Sequence, residues 1–263
     1  MSPEAGLKPG IDQGWLGEQL IKSPTRHAYA FWDLNHHPDQ AQFVTLTVNG
    51  NPRGYLMTWR NKGNPPAVHW ISDELHDEAL LSAFPAPPFR AFVPERWVDA
   101  VVASIGNAST RRVDIMENTG PILTIARPTP VRPITMEDQK KFHALADGDP
   151  EHSLSGHRDL DLDQTKSWGA FDGTRLVSFA HASVTLPEVW ILNGIYTDPA
   201  YRRKGFGRVV TEAATRAGLN EGARVGLYVF PDNIPALHLY RHLGFHEVER
   251  LFVVDAPTSA PGL

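Results

Sequence analysis

The pattern of apolar and polar positions predicts alternating strands and helices along the chain. In the C-terminal half, the apolar and β-branched run Val189–Thr197 is typical of a buried strand. The basic segment Tyr201–Arg208, which contains two glycines, follows it. Apolar residues then recur at helical spacing, at Val209, Val210, Ala213, Ala214 and Ala217. This order predicts a strand, a basic turn and a helix.

Other segments of the C-terminal half have a compatible pattern. Thr135 and Asp138 have the spacing of a capping box and predict the start of a short helix. Further strands are predicted over residues 167–182 (two strands around the turn signal Asp172-Gly173), Arg224–Phe230 and Val248–Val254. With one more helix between the last two strands, this order predicts an α/β domain with a mixed sheet.

The N-terminal half also alternates between strand and helix patterns. Strands are predicted over Phe43–Val48, Gly54–Trp59, Val68–Ile71 and Val113–Met116, the first two joined by the hairpin signal Asn49-Gly50. One helix is predicted to open at Ser72, with Leu75, Ala79 and Leu80 on its apolar side, and another to span Pro94–Ile105. No basic glycine turn interrupts this half.

A proline-rich segment separates the two halves. Arg127–Pro133 contains three prolines within six residues, which disfavours helix and central strand and favours an extended connector. The predicted organisation is therefore an N-terminal α/β domain over residues 1–126, a connector over 127–133 and a second α/β domain over 134–263.

The basic turn has the features of a phosphate site. A strand–turn–helix order directs backbone N–H groups and the positive end of a helix dipole at one place. Gly205 and Gly207 allow close approach to the backbone, and Arg202, Arg203 and Lys204 add positive charge. No P-loop string occurs, and Val210 occupies the place of the third glycine of a dinucleotide fingerprint. The turn therefore predicts a ligand that carries a pyrophosphate.

Arg202, Gly205 and Gly207 fill an Arg-x-x-Gly-x-Gly pattern, which resembles the acyl-CoA loop of the GNAT superfamily of N-acetyltransferases. The similarity extends to residues 195–202, which resemble that family's fourth strand, and to residues 232–245, which resemble its late helix. It covers roughly residues 131–255. The order of elements in the N-terminal half resembles a degenerate second copy, as in the glycine N-acyltransferase-like group and other tandem GNAT proteins.

The resemblance implies acetyl-CoA, or another acyl-CoA, as co-substrate and assigns roles to particular residues. Tyr240 stands at the family's general-acid position. The expected acyl-CoA-binding residues are Ile195, Tyr196, Thr197, Arg202, Arg203, Lys204, Gly205, Phe206, Gly207, Arg208 and Asn233. The strand before the loop splays from its neighbour in this family, which would free the backbone of Ile195–Thr197. Asn233 has two alternatives, holding the pantetheine arm or serving the start of its helix.

The general base is not evident from the sequence. Family members often have a glutamate on the fourth strand, but Trp190–Thr197 contains no acidic residue. The candidates are Glu188 before the strand, His181 on the preceding strand, and His152 and His157 in the polar stretch after the first helix. A bound water or an amine that arrives deprotonated would also suffice.

Composition narrows the class of protein. A net charge of −5 and a pI near 6.2 argue against a protein that coats nucleic acid. The sequence has no cysteine, so acyl transfer through an acyl-cysteine is excluded and direct attack in a ternary complex is favoured. No signal pattern and no apolar run long enough to span a bilayer is present, which predicts a cytoplasmic protein without membrane contact. His238 and His242 share a helix, but no acid completes a metal site, so no metal is expected.

The sequence thus predicts an N-acyltransferase that moves an acetyl or other acyl group from acyl-CoA to an amine. The acceptor is left open among a small amine, an amino acid, an antibiotic and a protein terminus, and so is the oligomeric state. The alternative is a non-catalytic acyl-CoA-binding or regulatory module. The missing acid on the fourth strand supports that alternative, whereas the presence of Tyr240 opposes it.

Overall fold

A computed structural model of the protein describes residues 5–60, 64–73, 77–122, 130–150 and 153–257. The chain forms two compact units. The first contains residues 1–115, 230–232 and 248–263, and the second contains residues 116–229 and 233–247.

The helices and strands of the described residues are as follows: β1 (Ala5–Pro9), α1 (Gln13–Lys22), α2 (Pro24–His36), β2 (Ala41–Val48), β3 (Asn51–Trp59), β4 (Ala67–Ser72), β5 (Phe89–Val93), α3 (Val98–Ile105), β6 (Ser109–Asn118), β7 (Val131–Pro133), α4 (Gln139–Asp147), β8 (Lys166–Asp172), β9 (Arg175–Thr185), β10 (Val189–Thr197), α5 (Phe206–Asn220), β11 (Arg224–Val229), α6 (Ile234–His242) and β12 (His246–Ala256). Short 3₁₀ turns occur at Glu78–Ala83, Glu95–Trp97, Met136–Asp138, Ser155–His157 and Pro199–Tyr201.

The first unit is built on a mixed sheet. Strands β1 to β4 pair in sequence as antiparallel neighbours, and β5 pairs with β4 in parallel. The other side of β5 pairs with β12, from Phe252 opposite Val93 to Ala256 opposite Phe89. A buried apolar cluster that includes Leu56, Trp70 and Val254 covers one face of this sheet. The strand next to β5 therefore comes from the far end of the sequence.

Several N-terminal predictions are confirmed, and one is wrong. The hairpin at Asn49-Gly50 and the helix that ends at Ile105 are present. Ser72 does not open a helix: it is the last residue of β4, is 2% exposed and lies opposite Gly54. Between β4 and β5, the helical residues among those described form a 3₁₀ turn at Glu78–Ala83, and Leu75 lies outside the described residues. Helices α1 and α2 and strand β5 were not predicted.

The second unit contains the strand order β11-β10-β9-β8-β7. β10 and β11 are parallel, and the other neighbours are antiparallel. β8 and β9 form the predicted hairpin, in which Gly173 adopts a left-handed φ of 59°. α5 packs on this sheet through Val210 and Ala214, which are fully buried. The sheet thus places the C-terminal end of β10 directly before the basic turn and α5.

The predicted capping box at Thr135 is not formed. Thr135 makes no side-chain cap, and α4 begins only at Gln139, after a 3₁₀ turn. The Asp138 carboxylate instead accepts hydrogen bonds from Arg132 at 2.6 and 2.9 Å and from Lys141 at 2.7 Å. These two cations hold the pKa of Asp138 well below its usual range. The spacing was right for a cap, but stronger charged partners occupy the carboxylate.

Part of the predicted connector, residues 127–129, lies outside the described residues. Val131–Pro133 forms β7, an edge strand antiparallel to β8, which agrees with the exclusion of proline from central strands. The domain limits at 126 and 134 stay a prediction. Among the described residues, no helix combines the length and the apolar character that crossing a membrane requires.

A buried histidine of the first unit makes stability depend on pH. His27 is 6% exposed, and its Nδ1 lies 3.0 Å from the Tyr55 hydroxyl. Burial, followed by the nearby Arg26 charge, lowers the pKa of His27 from 6.5 to about 4. The unfolded chain therefore takes up a proton at higher pH than the folded chain, and this contribution to stability is lost as the pH falls from about 6.5 towards 4.

The free energy of unfolding should fall between pH 7 and pH 5 in the wild type. We expect this fall to be smaller in His27→Gln by about 2 kcal/mol. Urea unfolding at the two pH values measures this difference. Asp33 acts in the opposite direction, because burial raises its pKa to about 7, but it is common to both proteins and cancels. Equal losses in the two proteins would contradict the assignment of this effect to His27.

Candidate active site

The end of β10 is irregular on both sides. On one side, the pairing with β11 runs from Val189 to Leu192 and stops there, although β10 continues to Thr197 and β11 to Val229. On the other side, Asn193 faces His181 and Tyr196 faces Phe179, so β10 has one extra residue in a bulge, where Gly194 and Ile195 lie opposite one residue of β9. Gly194 in this bulge has a left-handed φ of 59°. The strand therefore leaves its parallel neighbour just before the basic turn.

Two residues of the basic turn, Arg203 and Gly205, have positive φ angles, and only glycine adopts such angles without strain. Asp198 caps the 3₁₀ turn Pro199–Tyr201 by accepting from Ala200 N at 2.9 Å. Arg203 then adopts a φ of 63°, which is uncommon for a residue with a side chain, and Gly205 adopts 93° as the first residue before α5. No side chain caps the N-terminus of α5 within the described chain. The first turn of α5 thus presents N–H groups that no cap satisfies.

Gly207 lies against β10. A Cβ added at this position would meet the Thr197 hydroxyl at 2.9 Å. That hydroxyl is 2.7 Å from Ser178 Oγ, which also donates to the Tyr196 carbonyl at 2.8 Å. Ser178 is fully buried and was not predicted from the sequence, where a serine within a strand gives no signal. It fixes the end of β10 relative to β9 and hence the position of the turn.

The cations of the turn have different surroundings. Arg202 donates from Nε to the Thr197 carbonyl at 3.1 Å and stacks near the Tyr196 ring, so it fastens the turn to the strand. Arg203 and Lys204 are exposed, and the Lys204 ammonium lies 4.9 Å from the centre of the Tyr201 ring. Arg208, on the first turn of α5, has a buried Nε without a hydrogen bond among the described residues.

The predicted strand residues alternate between two apolar clusters. Ile195 and Phe206 pack against the apolar cluster that contains Val229 and Tyr240. Tyr196 points to the opposite face, with Phe142 and Phe179. Ile195, Phe206 and Tyr240 therefore belong to one apolar cluster, and the Tyr196 ring belongs to another.

Tyr240 lies on α6 and is 6% exposed. Its ring packs against Phe245 at a centroid distance of 5.9 Å, and its hydroxyl makes no hydrogen bond with any residue that the structure describes. Burial raises the pKa of the Tyr240 phenol, so the phenol keeps its proton at neutral pH. A hydroxyl that makes no hydrogen bond to the protein is available to a ligand.

Asn233 is the N-cap of α6. Its Oδ1 accepts from Ala236 N at 3.3 Å, which corresponds to the structural alternative given for this residue. Its side-chain amide nitrogen makes no hydrogen bond within the described part of the chain. Gly244 ends the same helix with a φ of 90°, as expected for a left-handed stop.

The structure separates the base candidates. Glu188 precedes β10, and Ile195 is seven residues further on, which places the two roughly 20 Å apart at about 3.3 Å per residue. His181 on β9 and His157 at the end of a 3₁₀ turn lie together, with ring centroids 4.9 Å apart. His152 lies outside the described residues. His157 of the polar stretch and His181 of β9 thus form one pair of neighbouring rings, which their spacing in the sequence did not indicate.

His238 and His242 are both exposed, with ring centroids 6.3 Å apart. His242 Nδ1 lies 2.6 Å from the His238 carbonyl, as expected for neighbours on one helix. No group of three or more potential metal ligands occurs among the described residues.

Comparison with known proteins identifies the class. Residues 132–245 match the model of the Acetyltransferase (GNAT) family. The match confirms the predicted resemblance of the C-terminal half to this family. A mycothiol acetyltransferase from Jonesia denitrificans is 32% identical over 125 residues, which cover 43% of this chain and 40% of the relative. An aminoglycoside N(6')-acetyltransferase type 1 from Salmonella typhimurium is 29% identical over 113 residues, 39% of this chain and 77% of that enzyme.

The fold of the whole chain also has solved counterparts. A tandem GNAT protein from the clavulanic acid biosynthesis pathway covers 98% of this chain and 100% of its own, with 14% identity and a TM-score of 0.61. At this identity the likeness concerns the fold alone. It confirms the predicted mixed-sheet α/β fold with a GNAT-like N-terminal half.

Proposed function

We propose that this protein is an acyl-CoA:amine N-acyltransferase that transfers an acetyl group from acetyl-CoA to an amine acceptor. The observation that carries this proposal is that three features occur together near the end of β10. Pairing with β11 stops after Leu192, α5 begins without a side-chain cap after Gly205, and the hydroxyl of Tyr240 makes no hydrogen bond to the described residues. Tyr240 shares an apolar cluster with Ile195 of β10 and Phe206 of α5.

The backbone of Arg203–Arg208 would bind the pyrophosphate. The left-handed φ values of Arg203 and Gly205 turn the chain into the first turn of α5, where unsatisfied N–H groups and the helix dipole favour an anion. Acetyl-CoA supplies an acyl group activated as a thioester. Residues 195–197 would hold its extended arm by strand-like hydrogen bonds, because β11 does not pair with them.

The transfer is proposed to be direct. The chain has no cysteine to carry the acyl group, so the amine would attack the thioester carbonyl carbon while both substrates are bound. Tyr240 would donate its phenolic proton to the sulfur as the carbon–sulfur bond breaks. A thiolate in apolar surroundings is a stronger base than one in water, so the raised pKa of Tyr240 is compatible with this role.

The acceptor is proposed to be a small molecule with a primary amine. The names of the two acetyltransferase relatives support this class, and the chain's net charge of −5 slightly favours a cationic acceptor. These two relatives cover 43% and 39% of this chain, so their names support the class of acceptor and not a particular molecule.

A panel of amines tests the proposal. Purified protein is incubated with acetyl-CoA and, in turn, aminoglycosides, amino acids and short peptides, and released thiol and acetylated product are measured. We expect at least one amine to give stoichiometric thiol and N-acetyl product. Binding of acetyl-CoA without turnover of any amine would contradict the enzyme and favour the non-catalytic module, which the absence of an acidic residue in Trp190–Thr197 supports.

A further inference from the structure

Two histidines from separate elements meet beside the bulge of β10. His157 ends the 3₁₀ turn Ser155–His157, and His181 belongs to β9, where it faces Asn193. Their rings are nearly perpendicular, at 80°, with centroids 4.9 Å apart. This pair lies next to the strand segment at which pairing with β11 ends.

The ring nitrogens of this pair are unusually unsatisfied. His181 is 4% exposed, and neither of its ring nitrogens makes a hydrogen bond of acceptable geometry with the described residues. The buried Nδ1 of His157 has none either. Buried polar atoms of this kind nearly always have a partner, and leaving one unsatisfied destabilises the fold. Three such nitrogens in one place indicate a site that a ligand completes.

The geometry directs His157 towards the bulge. A Cβ built on Gly194 would stand 3.0 Å from His157 Nε2, so the imidazole packs directly on this residue. Any side chain at position 194 would displace the ring. Ile195, the next residue, is the first of the three whose backbone is proposed to hold the extended arm of acetyl-CoA. His157 Nε2 therefore borders the place where the reacting groups would meet.

We propose that His157 accepts the proton of the acceptor amine and that His181 is a positioning residue that holds the His157 ring against the bulge. This inference rests on the proposed acyl transfer. The ammonium N–H bond breaks and its proton passes to His157 Nε2, which leaves a neutral amine. The amine nitrogen then bonds to the carbonyl carbon, and the carbon–sulfur bond breaks with its electrons on sulfur. Sulfur takes the Tyr240 proton, the second amine proton restores the phenol through water, and imidazolium releases its proton to solvent.

The surroundings keep the pair in its basic form. β10 presents Gly194, which has no side chain, and β9 presents His181 and Phe179. Burial lowers the pKa of His157, while burial and then the His157 ring lower the pKa of His181 to about 3, against a weak opposing effect of the Ala182 backbone. No carboxylate or ammonium group of the described residues contributes to either pKa. Both rings are therefore neutral at pH 7, and their closeness allows only one of them to be charged.

The test uses the full chain, acetyl-CoA and each amine that is acetylated in the panel above. We expect His157→Gln to lower kcat at pH 7 by about 10²-fold or more. The dissociation constant of acetyl-CoA, measured by calorimetry, should not change. The acidic limb of the wild-type kcat/KM profile, which falls below pH 6.5 because the pKa of His157 is lowered, should disappear. The difference in kcat between His157→Gln and the wild type should shrink as the pH approaches the pKa of the free amine, because the amine then loses its proton without a base.

Matched variants separate a proton acceptor from a packing residue. His143→Gln changes another half-buried histidine of the second unit, on α4, and should have no effect. His181→Phe keeps a ring at its position and should lower kcat less than His157→Gln does. If His157→Gln unfolds, His157→Asn is used. Wild-type kcat in the folded variant, or a deficit equal at all pH values, would overturn the inference alone. Absence of turnover in the wild type would overturn the proposed function and this inference with it.

Discussion

Replacing Tyr240 by phenylalanine is expected to lower kcat by about 10²- to 10⁴-fold and to leave the affinity for acetyl-CoA unchanged. The variant removes one hydroxyl from a buried ring that packs on Phe245, and that hydroxyl has no hydrogen bond with the described residues. The packing of the cluster is retained, so the change isolates the proton. Steady-state kinetics with an acetylated amine and calorimetry with acetyl-CoA measure the two effects.

Tyr201→Phe is the matched control for this prediction. Tyr201 lies in the turn before α5, and its ring stays beneath the Lys204 ammonium when the hydroxyl is removed. The kcat of the Tyr201→Phe variant should equal that of the wild type. Two results would contradict the prediction: a wild-type kcat in Tyr240→Phe, or a loss of activity that is explained by weaker binding of acetyl-CoA. In either case Tyr240 only packs against its apolar neighbours.

Replacing Gly205 by valine is expected to raise the dissociation constant of acetyl-CoA at least about tenfold. Gly205 has a φ of 93°, and a β-branched residue there costs about 1–3 kcal/mol unless the backbone moves. Relaxation of that strain would redirect the N–H groups at the start of α5, and about 1.4 kcal/mol corresponds to a factor of ten in binding. Calorimetric titration with acetyl-CoA measures the change.

The opposite end of α5 supplies a control with the same strain. Gly222 has a φ of 82°, and a Cβ there would meet no other atom within 4 Å. Gly222→Val should lower thermal stability to a similar extent but keep the affinity for acetyl-CoA. Equal affinities for the two variants would mean that the turn before α5 does not bind the pyrophosphate.

The sequence predicted those parts of the fold that depend on local patterns. The strand Val189–Thr197 and the hairpin at Asp172-Gly173 are present because apolar runs and turn residues act over a few neighbours. Ser72 was misplaced because a serine before apolar residues resembles a helix cap, whereas here it is buried at the end of β4. Pairing of β5 with residues 252–256 joins segments about 160 residues apart, which no local pattern indicates.

The same division applies to the candidate site. The glycines and cations of the basic turn are adjacent in sequence, so their chemistry could be inferred directly. The end of pairing between β10 and β11 was expected only through resemblance to a family. The contact between His157 and His181 depends on how a 3₁₀ turn packs on β9, and the two residues were separate candidates in the sequence. Long-range packing determines which of several polar residues meet.

The pairing of β12 with β5 has a consequence for biosynthesis. Residues 252–256 complete the sheet of the first unit, although residues 5–115 leave the ribosome long before them. Until then, β5 exposes an open edge to which another nascent chain could add a strand. A strand that is translated after the second unit thus completes the unit that precedes it, so a ribosome that stalls before residue 252 would release residues 5–115 with this edge open to aggregation.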